Sequence, residues 1–234
     1  QLQIILIAVL FSFTVSAKEY HVAKTGNDTN QGTLESPLLT IQAAANIALP
    51  GDVITVHAGT YREWINPMNG GKNDNERIIY QAAPGEKVEI KGSEIVTGWV
   101  NEKDGVWKVT IPNSIFGNYN PYQDSIFGDW FNNHGRIHHT GEVFLNEKSL
   151  FEMEKIEKVY SSEPNTNIKD TEGSTYTWYC ESDENNTTIW ANFHEFNPNK
   201  ELVEISARPT CFYPNKPGIN YLTIRGFYIS QAAT

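Results

Sequence analysis

The first 95 positions carry short runs of β-branched and apolar residues that are separated by turn residues. Val53 and Ile78 each lie at the start of such a run and are 25 positions apart. Runs this short and this evenly interrupted do not fit βαβ units. The pattern therefore predicts an all-β fold in which successive coils stack as a parallel β-helix. The runs are DVITVHA (52–58), YREWIN (61–66), RIIYQA (77–82) and KVEIKG (87–92).

One segment, SPLLTIQAAANIAL (36–49), instead spaces its apolar residues as one helical face. We predict a helix over 37–49, with Ser36 as its N-cap, Pro37 at its first position and Pro50 after its end. The first coil of a β-helix has an open edge that invites aggregation. This short helix is well placed to cover that edge.

A long insertion interrupts the coils. The segment KVEIKGSEI is echoed by YLTIRGFYI, and their glycines, Gly92 and Gly226, lie 134 positions apart. Since one coil takes about 25 residues, about 110 residues are inserted between neighbouring coils. Within the insertion, alternating strands with hairpin turns at 103–105, 146–148 and 183–186 are typical of a β-sandwich.

The start of the chain resembles an export signal. Residues 3–15 are nearly all apolar but too few to span a bilayer, and Val15-Ser16-Ala17 suits signal peptidase. We therefore expect a secreted or periplasmic protein with no membrane association after cleavage. The basic segment that begins a signal peptide is missing, so we expect the chain to be truncated at its N-terminus. Only one coil follows the insertion, so we also expect truncation at the C-terminus. The predicted parts are a truncated signal peptide (1–17), coils with the capping helix (18–98), an inserted β-sandwich (99–216) and a resumed coil (217–234).

The composition limits the kinds of ligand and partner that the protein is expected to bind. A formal net charge of −10 without any basic run argues against nucleic acid and anionic membrane surfaces. Export would permit a disulfide between Cys180 and Cys211, and two separate buried thiols are the equally weighted alternative. No zinc or cofactor motif occurs, so no cofactor is expected. The turn TGNDTNQGT (25–33) offers oxygen ligands for a structural calcium ion, but a structural Asx turn is favoured.

Several charged residues are better explained by structure than by catalysis. His57 and Glu63 follow successive strands, where we expect them to hold the stack together. Arg62 and Glu63 are expected to form a surface ion pair, which contributes little to stability. The adjacent His138 and His139 would face opposite sides of a strand, which disfavours joint metal binding.

The segment 113–140 is long, aromatic and glycine-rich, and it lacks strand periodicity. Loops of this length in a compact domain are usually functional or disordered, and this one is too aromatic for disorder. Phe127, Trp130 and Phe131 either anchor the loop in the interior or form a carbohydrate platform. In the second case the Trp130 indole stacks on a pyranose ring and Asp129 binds sugar hydroxyls.

Longer segments carry a family resemblance. Residues 19–67 resemble the N-terminal region of right-handed parallel β-helix carbohydrate-active enzymes. Segments farther along are more specific, and over essentially all of 19–234 the chain resembles glycoside hydrolase family 120, the β-xylosidases. These segments are IKGSEIVTGW, VWKVTIPNSIFGNYNPYQDSIFGDW, FLNEKSLFE, TIWANF, RPTCFYP and IRGFYISQAAT.

The resemblance implies a parallel β-helix interrupted by an immunoglobulin-like β-sandwich, and retaining, exo-acting hydrolysis of short β-1,4-xylo-oligosaccharides. The family's nucleophile Asp and acid/base Glu are expected downstream of Thr234, so no catalytic residue is assigned and the chain alone is expected to be inactive. The Trp of FGDW resembles the family's pocket-lining indole, which makes Trp130, with Asp129, the predicted substrate-binding pair.

Two other functions stay open at this point. One is a polysaccharide lyase on the same scaffold, and the other is a non-catalytic carbohydrate-binding or surface module. The expected partners are xylo-oligosaccharides and, for the full-length protein, further copies of itself.

Overall fold

The computed structural model describes residues 17–233, so the predicted signal peptide lies almost entirely outside the described residues. Within this range the chain is mostly β, as predicted, and has two short α-helices, α1 (Ile41–Ile47) and α2 (Ile156–Tyr160). Neither helix is long and apolar enough to cross a bilayer. The strands are β1 (Glu19–Val22), β2 (Val53–Val56), β3 (Gly59–Tyr61), β4 (Ile78–Ala82), β5 (Val88–Lys91), β6 (Ser93–Ile95), β7 (Val100–Lys103), β8 (Val106–Pro112), β9 (Val143–Leu145), β10 (Lys148–Ser149), β11 (Phe151–Glu152), β12 (Thr177–Ser182), β13 (Asn186–Asn192), β14 (Val203–Ser206), β15 (Leu222–Arg225) and β16 (Phe227–Ser230).

Seven strands form two parallel sheets, ordered β1-β2-β4-β15 and β3-β5-β16, which together we call the parallel body. In the first sheet Tyr20 lies opposite Ile54, and Ile54 lies opposite Tyr80. In the second sheet Tyr61 lies opposite Ile90. All five side chains are buried in one core, so the two sheets enclose the same interior.

The strands that the repeated motif matches do not pair with each other. The motif matches LTIR of β15 to VEIK of β5, yet β15 pairs with β4, and Ile224 lies opposite Tyr80. The strand that follows, β16, pairs with β5. β4 and β5 supply one strand to each parallel sheet, and so do β15 and β16, so the motif matched a strand of one sheet with a strand of the other.

Helix α1 begins later than predicted, at Ile41 rather than Pro37, and its N-cap is Thr40 rather than Ser36. The preceding residues are extended because Leu38 pairs with the first strand. Leu38 N donates to His21 O in β1, and Leu38 O accepts from Ala23 N just after β1, both at 2.9 Å. The helix packs its apolar face against β1 and β2, as expected for a cover of the first coil.

Glu63 connects the residues that follow β3 to helix α1, which agrees with its expected role in holding the stack together. Its carboxylate accepts hydrogen bonds from the amides of Ile41 (3.1 Å) and Gln42 (2.8 Å) at the start of α1. Burial raises the pKa of Glu63, and these two amide bonds oppose that rise. The predicted ion pair with Arg62 is wrong, because Arg62 binds Glu204 instead.

His57 links three levels of the stack, in agreement with its predicted structural role. Its ring stacks on that of His21 at 5.2 Å between centroids, with Nε2 of His57 and Nδ1 of His21 3.0 Å apart. On the other side, Nδ1 of His57 lies 3.0 Å from Oε1 of Glu86. Each of these residues comes from a different coil.

Strands β6–β14 form a second body of two sheets, ordered β10-β9-β14-β6 and β11-β12-β13-β8-β7. Its strands pair antiparallel, except that β11 and β12 are parallel. Two predicted hairpin turns are confirmed: Asp104 and Gly105 join β7 to β8, and Asn146 and Glu147 join β9 to β10, all with positive φ. This pair of φ values is the geometry that two-residue hairpin loops prefer.

The two cysteines are unpaired and lie in different cores. Cys180 is buried between the sheets of the second body, and Cys211 is buried in the parallel body. Burial raises the pKa of both thiols. The prediction of two separate buried thiols is therefore confirmed, and the disulfide is not formed.

A buried group of polar side chains, which we call the junction cluster, joins the two bodies. At its centre Glu204 of β14 is fully buried and accepts hydrogen bonds from Arg62 (2.6 Å), Lys91 (3.1 Å) and Gln231 (3.1 Å). Burial alone would raise the pKa of Glu204, but these hydrogen bonds outweigh it and hold the pKa below its ordinary value. Ser93 completes the cluster by accepting from Arg62 at 2.8 Å.

Gly92 is the point at which the chain leaves the parallel body. Its carbonyl accepts hydrogen bonds from Ala207 (2.9 Å) and Arg208 (3.0 Å), where the chain returns. A Cβ atom at Gly92 would lie 2.5 Å from the Cα of Ala232. No other residue type fits this approach of two backbones without displacement.

Candidate functional site

The segment 124–140, which we call the aromatic loop, leaves and re-enters the second body at one point. Thr140 N donates to Asp124 O at 3.2 Å, and Ile126 N donates to His138 O at 2.8 Å. The Tyr119 hydroxyl lies 3.1 Å from Asp124 Oδ2 and 2.7 Å from Thr140 Oγ1. These contacts close the base of the loop, so its conformation is defined where it meets the sheet.

Glu152 of β11 anchors the returning half of the loop. Its Oε1 lies 2.6 Å from His139 Nδ1, and its backbone carbonyl accepts a 3.0 Å hydrogen bond from Arg136. His138 Nδ1 lies 4.0 Å from the same carboxylate, so the prediction that the two histidines face opposite sides is wrong. The rule of alternation fails because these residues form a loop rather than a regular strand.

The outer part of the loop carries two exposed aromatic side chains. Phe127 is 82% exposed and Trp130 is 75% exposed, so neither anchors the loop in the interior. Phe131 is half-buried, and its ring packs within the loop, edge-on against His138 at 5.2 Å and 5.6 Å from the Trp130 ring. The interior-anchor interpretation is therefore wrong for Phe127 and Trp130, and Phe131 packs against its own loop rather than in a core.

The position of Trp130 is restrained by its neighbours. Gly128 has a φ of +149°, and a Cβ atom there would lie 2.5 Å from Trp130 Nε1. Because glycine alone adopts this conformation readily, the indole can lie against the backbone of its own loop. Asp129 is exposed beside it. The structure thus presents an indole and a carboxylate together, while their predicted contact with sugar stays a prediction.

The turn at 25–33 uses its oxygen atoms within the chain. Asp28 Oδ1 accepts hydrogen bonds from Leu39 (2.9 Å) and Thr40 (2.8 Å), and Asn27 Oδ1 accepts from Thr29 at 2.9 Å. This is the favoured structural turn. Across residues 17–233 no three His, Cys, Asp or Glu side chains converge as ligands of one metal ion.

Two features of the site have no clear signal in the sequence. Glu152 lies in an ordinary alternating strand, and nothing in FLNEKSLFE distinguishes it as the anchor of a loop that begins 28 positions earlier. The exposure of Trp130 is equally hidden, since an aromatic residue in a long loop fits both a buried anchor and a binding platform.

Comparisons with known proteins agree with the family resemblance. Residues 96–205 match the family model for the glycoside hydrolase 120 insertion domain, and residues 24–67 match a domain described as a protein of unknown function, DUF1565. The solved structure of XylC in complex with xylose is 45% identical, with a TM-score of 0.88. That match covers 92% of this chain and 36% of the XylC chain.

Two further relatives are more distant. A solved structure described as a glycoside hydrolase is 14% identical, with a TM-score of 0.55 over 93% of this chain and 51% of that chain, which shows likeness of fold alone. The uncharacterized protein YwoF of Bacillus subtilis (strain 168) is 31% identical over 75 residues, or 32% of this chain and 16% of YwoF. The chain therefore spans a minor part of both XylC and YwoF.

Proposed function

This chain belongs to glycoside hydrolase family 120, whose insertion domain it carries at residues 96–205, and we propose that it is part of a retaining exo-β-1,4-xylosidase. The substrates in this proposal are short xylo-oligosaccharides, and the protein is secreted or periplasmic. The parallel body forms the first coils of a right-handed parallel β-helix, and the second body is an immunoglobulin-like β-sandwich. The pairing of β1, β2, β4 and β15 in register, one strand per coil, supports this architecture.

The observation that carries the proposal is the exposed, restrained Trp130 on a loop with a closed base. An indole offers a flat apolar face to the C–H groups of a pyranose, and a neighbouring carboxylate accepts hydrogen bonds from its hydroxyls. The similar protein XylC was solved with xylose, which supports a sugar as the ligand here.

The chemistry requires groups beyond those assigned in this chain. A retaining glycosidase needs a nucleophilic carboxylate and an acid/base carboxyl about 5–5.5 Å apart. We place both outside the chain and assign Trp130 and Asp129 to substrate binding. On this proposal the chain binds sugar and does not hydrolyse it.

Binding of xylobiose to the whole chain, measured by isothermal titration calorimetry, tests the role of Trp130. We expect Trp130→Ala to weaken binding about tenfold or more, which corresponds to about 1.4 kcal/mol. Ile137→Ala is the matched control, because Ile137 is an exposed apolar residue (66%) of the same loop without an aromatic face. Equal affinities of the two variants for xylobiose would show that Trp130 does not contribute to the binding site.

Hydrolysis of an aryl β-xyloside by the whole chain tests whether the two catalytic carboxyl groups lie outside it. No turnover is expected, and measurable turnover would contradict their placement outside the chain. Calcium-dependent release of unsaturated products from pectin would instead favour a polysaccharide lyase.

A further inference from the structure

A concave surface lies in the second body, away from the aromatic loop. It is a cavity of about 300 Å³ between the β9–β10 hairpin and the segment 170–176. None of the residues that line it belongs to 124–140. Its volume is at the lower end of the range for small-molecule sites, and a single sugar ring fits within it.

Aromatic and aliphatic side chains form one wall of the cavity. Tyr176 and Phe196 lie with ring centroids 6.4 Å apart, and Leu145 and Leu150 extend the apolar surface. The edge contact with His194, at 4.6 Å between centroids, fixes the Tyr176 ring. These four side chains therefore give the cavity a continuous apolar part, in which the Tyr176 ring also contacts His194.

Polar groups lie around the rest of the cavity. Asp170 accepts a hydrogen bond from Gly173 N through Oδ1 at 2.9 Å, which orients the carboxylate. Glu172 and Lys148 add a further acceptor and a cationic donor. The lining therefore combines hydrogen-bond donors and acceptors with the apolar side chains.

The Tyr176 hydroxyl remains protonated at neutral pH. Burial raises its pKa, and the nearby carboxylates of Glu195 and Glu172 raise it further. The phenol is thus a neutral hydrogen-bond donor at the end of the aromatic wall.

We propose that this cavity is a second sugar-binding site, specific for neutral pyranose rings and separate from Trp130. An apolar wall facing mixed donors and acceptors suits a ring with C–H groups on one face and hydroxyls at its edge. The two carboxylates in the lining, Asp170 and Glu172, and the net charge of −10 disfavour uronates and phosphorylated sugars. The choice of xylose as the sugar rests on the proposed function, whereas the site itself does not.

Amide chemical-shift mapping of the whole chain during titration with xylobiose tests this site. We expect two groups of shifted amides, one at 126–131 and one at 145–150 and 170–176. Tyr176→Ala should abolish the second group and leave the first, and Trp130→Ala should do the reverse. Tyr213→Ala, which removes an exposed ring (62%) from neither site, should change neither group.

Milder variants guard against misfolding of Tyr176→Ala. Tyr176→Phe keeps the ring and loses one hydrogen bond, and Glu172→Gln keeps the shape and loses one charge. We expect Tyr176→Phe to weaken binding at the cavity about three- to tenfold. Glucuronate should not shift the cavity amides in the unmodified chain.

The outcomes separate this site from the proposed function. Shifts at 126–131 alone would overturn the second site and leave the role of Trp130 intact. Shifts at the cavity alone would support the second site and overturn the role of Trp130. Persistence of the cavity shifts in Tyr176→Ala, or no shift in either group, would overturn the second site.

Discussion

The parallel body and the second body distribute their polar side chains differently. In the parallel body, polar residues stack on equivalent positions of neighbouring coils: His57 lies between His21 and Glu86, and Gln81 donates to Thr55 at 3.1 Å. In the second body, strands close in hairpins, and one 17-residue loop extends outward with Phe127 and Trp130 exposed. These polar groups of the parallel body are used in contacts between neighbouring strands, whereas the loop of the second body leaves the Trp130 and Asp129 side chains exposed.

The largest effect is expected where the two bodies meet. Glu204→Ala leaves Arg62 and Lys91 buried without their shared carboxylate, and we expect it to lower the free energy of unfolding by about 3–5 kcal/mol. Urea unfolding followed by tryptophan fluorescence measures the change. Glu94→Ala is the matched control, because the Glu94–Arg208 pair is partly exposed and should cost about 0–1 kcal/mol.

Acid titration gives an independent check on Glu204. Its folded-state pKa is depressed, so its contribution is complete above the ordinary glutamate pKa and is lost as pH falls through the depressed value. Glu204→Gln should lack this part of the pH dependence of stability. An unchanged acid profile in Glu204→Gln would contradict the charged state of the cluster.

A matched pair of core substitutions tests whether the bodies unfold together. Ile54 and Ile189 are each fully buried, one in each core, and replacement by Ala should cost about 2–5 kcal/mol in either case. Because the junction cluster joins the bodies, we expect both variants to shift one common transition. Amide exchange at Tyr80 and at Trp178 follows the two bodies separately, and two unlinked transitions would contradict the coupling.

The smallest effect is expected at two buried hydroxyls. Among residues 17–233, Tyr80 Oη and Ser206 Oγ are the buried side-chain oxygens without a hydrogen-bond partner. Tyr80→Phe and Ser206→Ala should therefore be neutral or stabilising by up to about 1 kcal/mol, since each removes an unsatisfied polar atom. Thermal unfolding measures this, and a clear loss of stability in either variant would reveal a partner for that hydroxyl.

Much of the local structure could be predicted because it depends on short-range signals. Asp104-Gly105 specifies its hairpin through positive φ values, and the runs from Val53 and Ile78 specify strands through β-branched residues. Leu38 shows the limit of such signals. Its place in a helical pattern was overridden by pairing with β1, which depends on residues outside the window.

The junction cluster and the exposure of Trp130 depend on contacts between residues that are far apart in the sequence, which sequence spacing does not encode. Arg62 and Glu63 are adjacent, yet one binds Glu204 and the other binds the amides of α1. Alternation within β14 gives no indication that Glu204 is buried beside two cations. Trp130 is a candidate both from its place in the aromatic loop and from the family resemblance, but the sequence does not distinguish an exposed indole from a buried one.

Gly92 has a consequence for how such proteins diversify. The Gly92 carbonyl accepts hydrogen bonds from the amides of both Ala207 and Arg208. The residue at which the chain enters the second body therefore lies one hydrogen bond away from the residues at which it leaves. A module whose two ends meet in this way can be exchanged or enlarged at the level of the gene while the register of the strands on either side is kept, provided that it still supplies a carboxylate to Arg62 and Lys91. The second body is therefore suited to act as an interchangeable attachment on a constant scaffold.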